Sequence, residues 1–137
     1  METFYRGMRQ RYNVLLDERA QPLGGAWNFD EENRRPWKGA PPEPDDVRPH
    51  HDHSALWAEI QAAGVVTMGT PHADDLRWPI DADEAQQMLQ HFLNTALPHF
   101  GMYQDAMSMQ AHRLFHSLLS FALNVKMLHP LSVIRHA

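Results

Sequence analysis

Proline is concentrated in one part of the chain, where it limits the formation of regular structure. Five of the ten prolines lie between Pro36 and Pro49, within the stretch AWNFDEENRRPWKGAPPEPDDVRPHHDH. Proline fixes its own φ angle, lacks a backbone N–H and disfavours helix in the residue before it. The stretch also has no sustained apolar period. We therefore predict a long irregular connection here, with helices on either side of it.

Outside this connection, apolar residues recur at helical spacing in three stretches. These predicted helices lie near residues 2–19, 82–97 and 113–127. Asp81, followed three residues later by Glu84, has the spacing of a capping box at the start of the second helix. Pro98 is expected to end that helix, because proline cannot donate the next backbone hydrogen bond.

A shorter helix is predicted from Ser54 to Ala63, with Ser54 as its N-cap. The segment after it contains β-branched residues but too many breakers for a strand, so we predict a loop. The expected fold class is therefore all-α: mainly helical, with long connections. So much loop is unusual for a small independent domain and suggests a piece of something larger.

Composition excludes several classes of function. With 12 basic and 17 acidic residues the formal charge is −5, which provides no general attraction to nucleic acid or to an anionic membrane. The absence of cysteine excludes disulfides, thiolate zinc sites and iron–sulfur clusters. Neither a secretory signal nor a membrane-spanning run is recognisable. We expect a cytoplasmic chain with no membrane attachment.

Ten histidines raise the question of a metal site, and the densest group is His50, His51, Asp52 and His53. A zinc or nickel site needs three or four ligands that converge in space, whereas adjacent loop histidines are more often solvated. The HExxH spacing of zinc proteases is absent, as are the GxSxG, GxGxxG and GxxxxGK[ST] motifs. We therefore predict no metal site.

Polar residues interrupt the predicted helix near residues 113–127, in the stretch LFHSLLSFALN. His116, Ser117, Ser120 and Asn124 would share one stripe of a helix at that spacing. The serines would then either bond back to carbonyls of their own helix or bind an anion such as phosphate near a helix N-terminus. The spacing alone leaves both interpretations open.

The same stretch resembles a known family. HSLLS, His116 to Ser120, is similar to the Thr-Ser-x-Leu-Ser segment with which DNA photolyases and cryptochromes hold the diphosphate of flavin adenine dinucleotide (FAD). The resemblance is stronger to the bacterial deoxyribodipyrimidine photolyase-related branch, the iron–sulfur photolyases and cryptochromes that include six-four photolyases. Four blocks are similar to it in order: FYRGMRQRYNVLL, PLGGAWNFDEENRRP, FGMYQDAM and LFHSLLSFALN.

This resemblance implies an internal fragment of a photolyase/cryptochrome fold. Residues 1–20 would form a helix from the end of the antenna-binding domain, and residues 21–80 the interdomain connection. Residues 81–137 would begin the helical FAD-binding domain. Met1 aligns with an internal methionine of the family, which implies a truncated gene product, a degenerate copy or a deliberate fragment.

The resemblance also implies a set of FAD-binding residues. These are His116, Ser117, Leu119, Ser120 and Tyr103. His116 stands where the wider superfamily often has threonine, and Phe121 replaces a common proline. No catalytic residue is carried over, because photolyase chemistry belongs mainly to the cofactor.

By the same resemblance, complete relatives would be lyases that use FAD and light to repair damaged DNA, or sensors of blue light. This chain alone is expected to be inactive, because most of the active site and the cysteines of the family's iron–sulfur cluster lie beyond it. The alternative is a non-enzymatic helical remnant. It would bind a protein partner or form a homo-oligomer through exposed apolar helix faces.

Overall fold

The computed structural model describes residues 2–137, and most of its regular structure is helical. The α-helices are α1 (Glu2–Tyr12), α2 (Ser54–Ala62), α3 (Ala82–His91), α4 (Leu97–Tyr103), α5 (Ser120–Asn124) and α6 (Pro130–His136). A short 3-10 turn spans Asp30–Glu32, and a π-helical turn spans Phe92–Ala96. Within residues 2–137 there are two isolated β-bridges and no β-strands. The predicted all-α fold class is confirmed.

Helix α1 is shorter than the predicted helix over residues 2–19. It ends at Tyr12, and Leu15 has a φ of +53°, which a right-handed helix does not allow. The buried guanidinium of Arg9 donates from Nε to the carbonyl of Val14 at 3.2 Å, and from Nη2 to the carbonyl of Leu15. These bonds satisfy the carbonyls beyond the helix end, so the chain turns instead of extending the helix.

The proline-rich connection is irregular, as predicted. Residues 33–53 contain no helix, and this part of the chain lies against the helical part through Trp37. The Trp37 ring packs on the cluster that contains Phe115, and its Nε1–H donates to the carbonyl of Pro41 at 2.7 Å. A segment that cannot form a helix is thereby held in one conformation.

Helix α2 begins at Ser54, as predicted, but its cap differs from the prediction. The N-cap residue is His53, and the Asp52 carboxylate accepts the backbone N–H of Ser54 at 2.9 Å. The assignment of Ser54 as N-cap was therefore wrong by one position.

Helix α3 is capped as predicted. The Asp81 carboxylate accepts the backbone N–H of Glu84 at 2.9 Å, and Glu84 Oε2 accepts the backbone N–H of Ile80 at the same distance. Both acceptors satisfy amides at the start of the helix that have no partner within the helix.

The predicted stop at Pro98 was wrong, because the helix continues to Tyr103. Between α3 and α4 the five-residue π turn Phe92–Ala96 accommodates one extra residue. As a result Pro98 falls in the first turn of α4, directly after the π turn.

The last predicted helix, over residues 113–127, is reduced to the single turn Ser120–Asn124. Leu114 and Leu118 have φ angles of +47° and +55°, so the chain before Ser120 is not helical. His116 and Ser117 therefore share no helical stripe with Ser120 and Asn124. The prediction of one polar stripe along one helix was wrong.

Packing explains why residues 113–119 leave the helical conformation. Leu114 and Phe115 are buried in one apolar cluster with Ala96, while Leu119 is buried in another with Leu89. One face of a single helix cannot pack into two separate clusters. After Asn124 the next helix is α6, with Pro130 in its first turn.

The core consists of these two clusters, joined by Phe92, which packs against both. The first cluster comprises Ala85, Met88, Leu89, Leu119, Ala122 and Leu128. The apolar stripe of α3 packs against the segment around Leu119 in this cluster. No helix within residues 2–137 has the length and apolar character that a membrane span requires.

Candidate functional site

A small cavity lies between the proline-rich connection, the π turn and the irregular segment 113–118. Its volume is about 30 Å³, room for about two water molecules. The polar residues in its lining are Asp45, Asp46, Arg48, His91, Arg113, His116 and Ser117. Met88, Phe92 and Leu118 contribute apolar surface. The cavity is thus lined by both charged and apolar side chains.

The π turn helps to shape this cavity, since His91, Phe92 and Ala96 all line it. Turns of this kind occur often at functional sites, because the extra residue redirects the neighbouring side chains. The Nε2 atom of His91 is buried and has no hydrogen-bond partner among the described residues. A buried nitrogen without a partner costs free energy, so this atom marks a place where a ligand or a water can bind.

Three arginines surround the carboxylate of Asp46. Arg48 binds it with two bonds, Nε to Oδ1 at 3.0 Å and Nη2 to Oδ2 at 2.8 Å. Arg77 Nη2 and Arg113 Nη1 each approach Oδ2, at 3.3 and 3.4 Å. All four side chains are about three-quarters buried. The cluster therefore holds more positive than negative charge in a place with limited solvent.

The charge state of this cluster is fixed. The hydrogen bond from Arg48 is the largest influence on the pKa of Asp46, and with Arg113 it lowers that pKa far below the usual range despite burial. Asp46 is therefore a carboxylate at any physiological pH. One negative charge among three guanidinium groups leaves two positive charges unbalanced within the cluster.

Glu43 occupies a second anion site beside this cluster. Its Oε1 accepts the backbone N–H of Arg113 at 2.7 Å and that of Leu114 at 2.8 Å. Two successive N–H groups, the second on a residue with positive φ, form the kind of concavity that binds anions. Burial would raise the pKa of Glu43, but these backbone hydrogen bonds and the nearby Arg113 lower it overall.

Two of the five predicted FAD-binding residues line the cavity. His116 is exposed and meets the ring of Phe100 edge-on, with centroids 5.6 Å apart. Ser117 is partly buried, and its Oγ accepts the backbone N–H of Leu119 at 3.4 Å. Its hydroxyl hydrogen can therefore point to a group in the cavity.

The other three predicted residues lie outside the cavity lining. Leu119 is 3% exposed and belongs to the core. Ser120 is exposed at the start of α5. Tyr103 stacks on Phe115 with centroids 5.3 Å apart, and its hydroxyl donates to the carbonyl of Ala40 at 3.4 Å. The structure brings together His116 and Ser117 and leaves these three apart.

Sequence reasoning missed the charged half of the site, which comprises Asp46, Arg48, His91 and Arg113. The signals available were the mixed charges of PPEPDDVR and the arginine just before LFHS. Neither signal shows that the two segments meet, because the contact joins residues on opposite sides of α2 and α3 in the chain. An isolated charge run is more often a solvated loop than a site.

The histidine group near residue 50 pairs with carboxylates instead of converging. His50 Nδ1 lies 2.6 Å from Asp75 Oδ1, and His51 Nε2 lies 3.0 Å from Glu84 Oε2. In residues 2–137 no three histidine, aspartate or glutamate side chains are grouped so that they could hold a metal ion. The first pair attaches the connection to the loop before α3, and the second attaches it to the first turn of α3.

Known proteins resemble the chain over its whole length. A (6-4) photolyase of Agrobacterium fabrum (strain C58 / ATCC 33970) is 36% identical over 143 aligned residues, which cover 100% of this chain and 27% of the relative. The chain therefore spans about a quarter of that relative's length. The alignment includes the candidate residues between Tyr103 and Ser120.

The family model described as Deoxyribodipyrimidine photo-lyase-related protein matches residues 1–76. This range includes α1, the proline-rich connection with Glu43 and Asp46, and α2. The family predicted from four sequence blocks is thereby confirmed. Since the match covers more than half of the chain, this chain belongs to the family of deoxyribodipyrimidine photo-lyase-related proteins.

Proposed function

We propose that this chain forms part of the flavin site of a photolyase-like flavoprotein, and that the cavity region receives the diphosphate of FAD. The observation that carries the proposal is that Arg113, Ser117 and His91 all line one cavity. Arginine and hydroxyl donors suit phosphate oxygens. Membership of the family supports a flavin as the molecule that carries the phosphates.

The donors fit a diphosphate in charge as well as in type. The three arginines exceed Asp46 and the adjacent Glu43 by one positive charge, which attracts a diphosphate, whose link between two groups leaves about two negative charges. Ser117 is a better candidate than Ser120, because only Ser117 lines the cavity. His116 lies beside Ser117 at the exposed mouth, where it could also donate to an anion.

The ring system of FAD needs more than this chain's cavity offers. Sites for molecules of that size commonly enclose about 300–1,000 Å³, whereas the cavity between the described residues has about 30 Å³. Tyr103, stacked on Phe115, would contribute one aromatic wall, and Leu119 would hold the segment in place from the core. We therefore propose a partial site, with further walls supplied by additional protein.

When bound, FAD would supply light absorption and electron transfer. The residues of this chain would bind and orient it: Arg113 neutralises phosphate charge, and Ser117 donates a hydrogen bond. In longer relatives such a site would serve light-driven repair of damaged DNA or blue-light sensing. Residues 1–20, 21–80 and 81–137 would be the end of an antenna-binding domain, an interdomain connection and the start of the FAD-binding domain. The chain alone would be inactive.

A second candidate is self-association of a helical remnant or its binding to a protein partner. The observation that favours it is the set of large apolar side chains that are almost fully exposed. These are Val66, Met68, Met107 and Met109, each more than 90% exposed. Contact between two copies would remove such surface from water. Sedimentation at rising protein concentration separates a monomer from an oligomer.

The flavin proposal is tested by titrating the protein into FAD and following flavin fluorescence. We expect Arg113→Gln to weaken FAD binding at least tenfold. Arg135→Gln is the matched control, because Arg135 is exposed and distant in sequence from the cavity residues, and it should have no effect. Riboflavin, which has no phosphate, should be insensitive to both changes. Equal FAD affinity in wild type and Arg113→Gln would contradict the proposal.

A further inference from the structure

We infer that the chain blocks its own anion site: the carboxylates of Glu43 and Asp46 occupy the positions of two linked phosphates, and a diphosphate ligand must displace them. Residues 43–46 (EPDD) are named the acidic strap. This inference deepens the proposed function and rests on the anion site assigned there. The strap would then act as an autoinhibitory contact.

The two carboxylates of the strap share Arg113. The backbone N–H of Arg113 binds Glu43, while its guanidinium contacts Asp46. One residue therefore joins two anion positions, and each position is already filled by an anion from the same segment. A ligand with two connected anionic groups, such as a diphosphate, matches this arrangement better than a single ion.

The strap leaves little space in the cavity. Pro44, Asp45 and Asp46 all line the cavity, and with the strap present only about 30 Å³ remains. That volume holds water molecules but not a diphosphate. The donors assigned to the ligand are thus present, but the strap fills the room in front of them. Binding requires the strap to move.

The acidic strap can move without breaking every contact of Asp46. Asp46 binds Arg48 with two short bonds, and these residues are only two positions apart. Its contacts with Arg77 and Arg113 are longer, 3.3 and 3.4 Å. The Asp46–Arg48 pair can therefore move as a unit, which releases Arg77 and Arg113. Once Glu43 has also moved, Arg113, which lines the cavity, and the two backbone N–H groups face the ligand.

Arg77 supplies an independent sign that the closed arrangement leaves donors unused. Its Nε is buried and has no hydrogen-bond partner among the described residues, although its Nη2 contacts Asp46. One carboxylate cannot satisfy three guanidinium groups. A diphosphate has more acceptor oxygens than Asp46, so it can bind donors that the strap leaves unpaired.

Calorimetric titration with inorganic pyrophosphate at low salt tests this inference. In Glu43→Gln/Asp46→Asn the internal anions are neutral, and we expect pyrophosphate to bind at least tenfold more tightly than to wild type. The control Glu18→Gln/Asp74→Asn changes the net charge equally, at exposed carboxylates outside the strap and the cavity lining, and should gain much less. Equal or weaker binding in a folded double variant, or no pyrophosphate binding to any of these proteins, would overturn the inference.

A measurement on the wild type covers the case in which the double variant does not fold. Backbone amide NMR spectra of the wild type with and without pyrophosphate should show shifted resonances at residues 43–48, because the strap leaves Arg113. The amides of Arg113 and Leu114 should shift as well, because they exchange Glu43 for the new ligand. Unshifted resonances at residues 43–48 under saturating pyrophosphate would overturn the inference.

FAD separates this inference from the proposed function. FAD binding that is equal in wild type and in Glu43→Gln/Asp46→Asn would overturn the blocking role of the strap and leave the flavin site standing. Tighter pyrophosphate binding in the double variant without any FAD binding would support the strap and overturn the flavin assignment alone.

Discussion

The carboxylate of Glu43 accepts the backbone N–H of Arg113 at 2.7 Å, although the two residues lie 70 positions apart in the chain. This bond attaches the proline-rich connection to the irregular segment beside the core. The connection therefore forms one wall of the candidate site. Its conformation and the properties of the site are consequently coupled.

Acid should weaken this attachment. The folded-state pKa values of Glu43 and Asp46 lie below their ordinary values of 4.5 and 3.8. Because both pKa values are lower in the folded protein, the two carboxylates stabilise the fold at pH values above their ordinary pKa values. This stabilisation is lost as the pH falls from the ordinary pKa values toward the folded-state pKa values. Urea unfolding of the wild type should show falling stability below pH 4.5. Glu43→Gln/Asp46→Asn should depend on pH much less, and parallel curves for the two proteins would refute this.

Phe92 should be a major contributor to stability, because it packs against both apolar clusters. Replacing it with alanine should lower the free energy of unfolding by about 3 kcal/mol, through lost burial and a new cavity. Ser120→Ala is the comparison, and its exposed hydroxyl should contribute about 1 kcal/mol or less. Thermal melts of both variants measure the difference. A larger loss for Ser120→Ala would show that the core has been misassigned.

Pro98 should be nearly dispensable for helix stability. In a helix interior proline costs about 3 kcal/mol, but here Pro98 stands in the first turn of α4. We therefore expect Pro98→Ala to change the free energy of unfolding by about 1 kcal/mol or less. Urea unfolding checks this value. A stabilisation of several kcal/mol would mean that Pro98 strains the helix.

The two serines of the HSLLS segment should differ in ligand binding. Ser117 lines the cavity, so Ser117→Ala should weaken pyrophosphate binding by about 10–100-fold, the effect of losing one hydrogen bond to a charged group. Ser120 lies outside the lining, and Ser120→Ala should leave the affinity unchanged. Calorimetric titration of each variant gives the comparison. Equal losses in both would require Ser120 to reach the ligand as well.

Local patterns predicted some elements well. The start of α3 follows from Asp81 and Glu84, because a cap depends on residues within one turn. The irregular connection follows from its prolines, which restrict their own backbone in any context. By contrast, the π turn, which lets the helix continue past Pro98, depends on packing between distant segments. The local spacing of residues does not predict it.

The candidate site was only half predictable for the same reason. Ser117 and His116 were found through a short motif that resembles a family segment. Asp46 and Arg113 come together only through the folded connection, so neither charge is distinguishable from a solvated one in the sequence. The FAD-binding roles of Leu119, Ser120 and Tyr103 remain predictions, although each has a defined place in the fold.

The location of the anion site is the central claim, and backbone amide NMR spectra during an FAD titration test it most directly. We expect the largest shifts at Arg113, Leu114 and Ser117, with smaller shifts at residues 45–48 and none in α1. Shifts concentrated in α1, or an absence of shifts at residues 113–117 at saturating FAD, would contradict it.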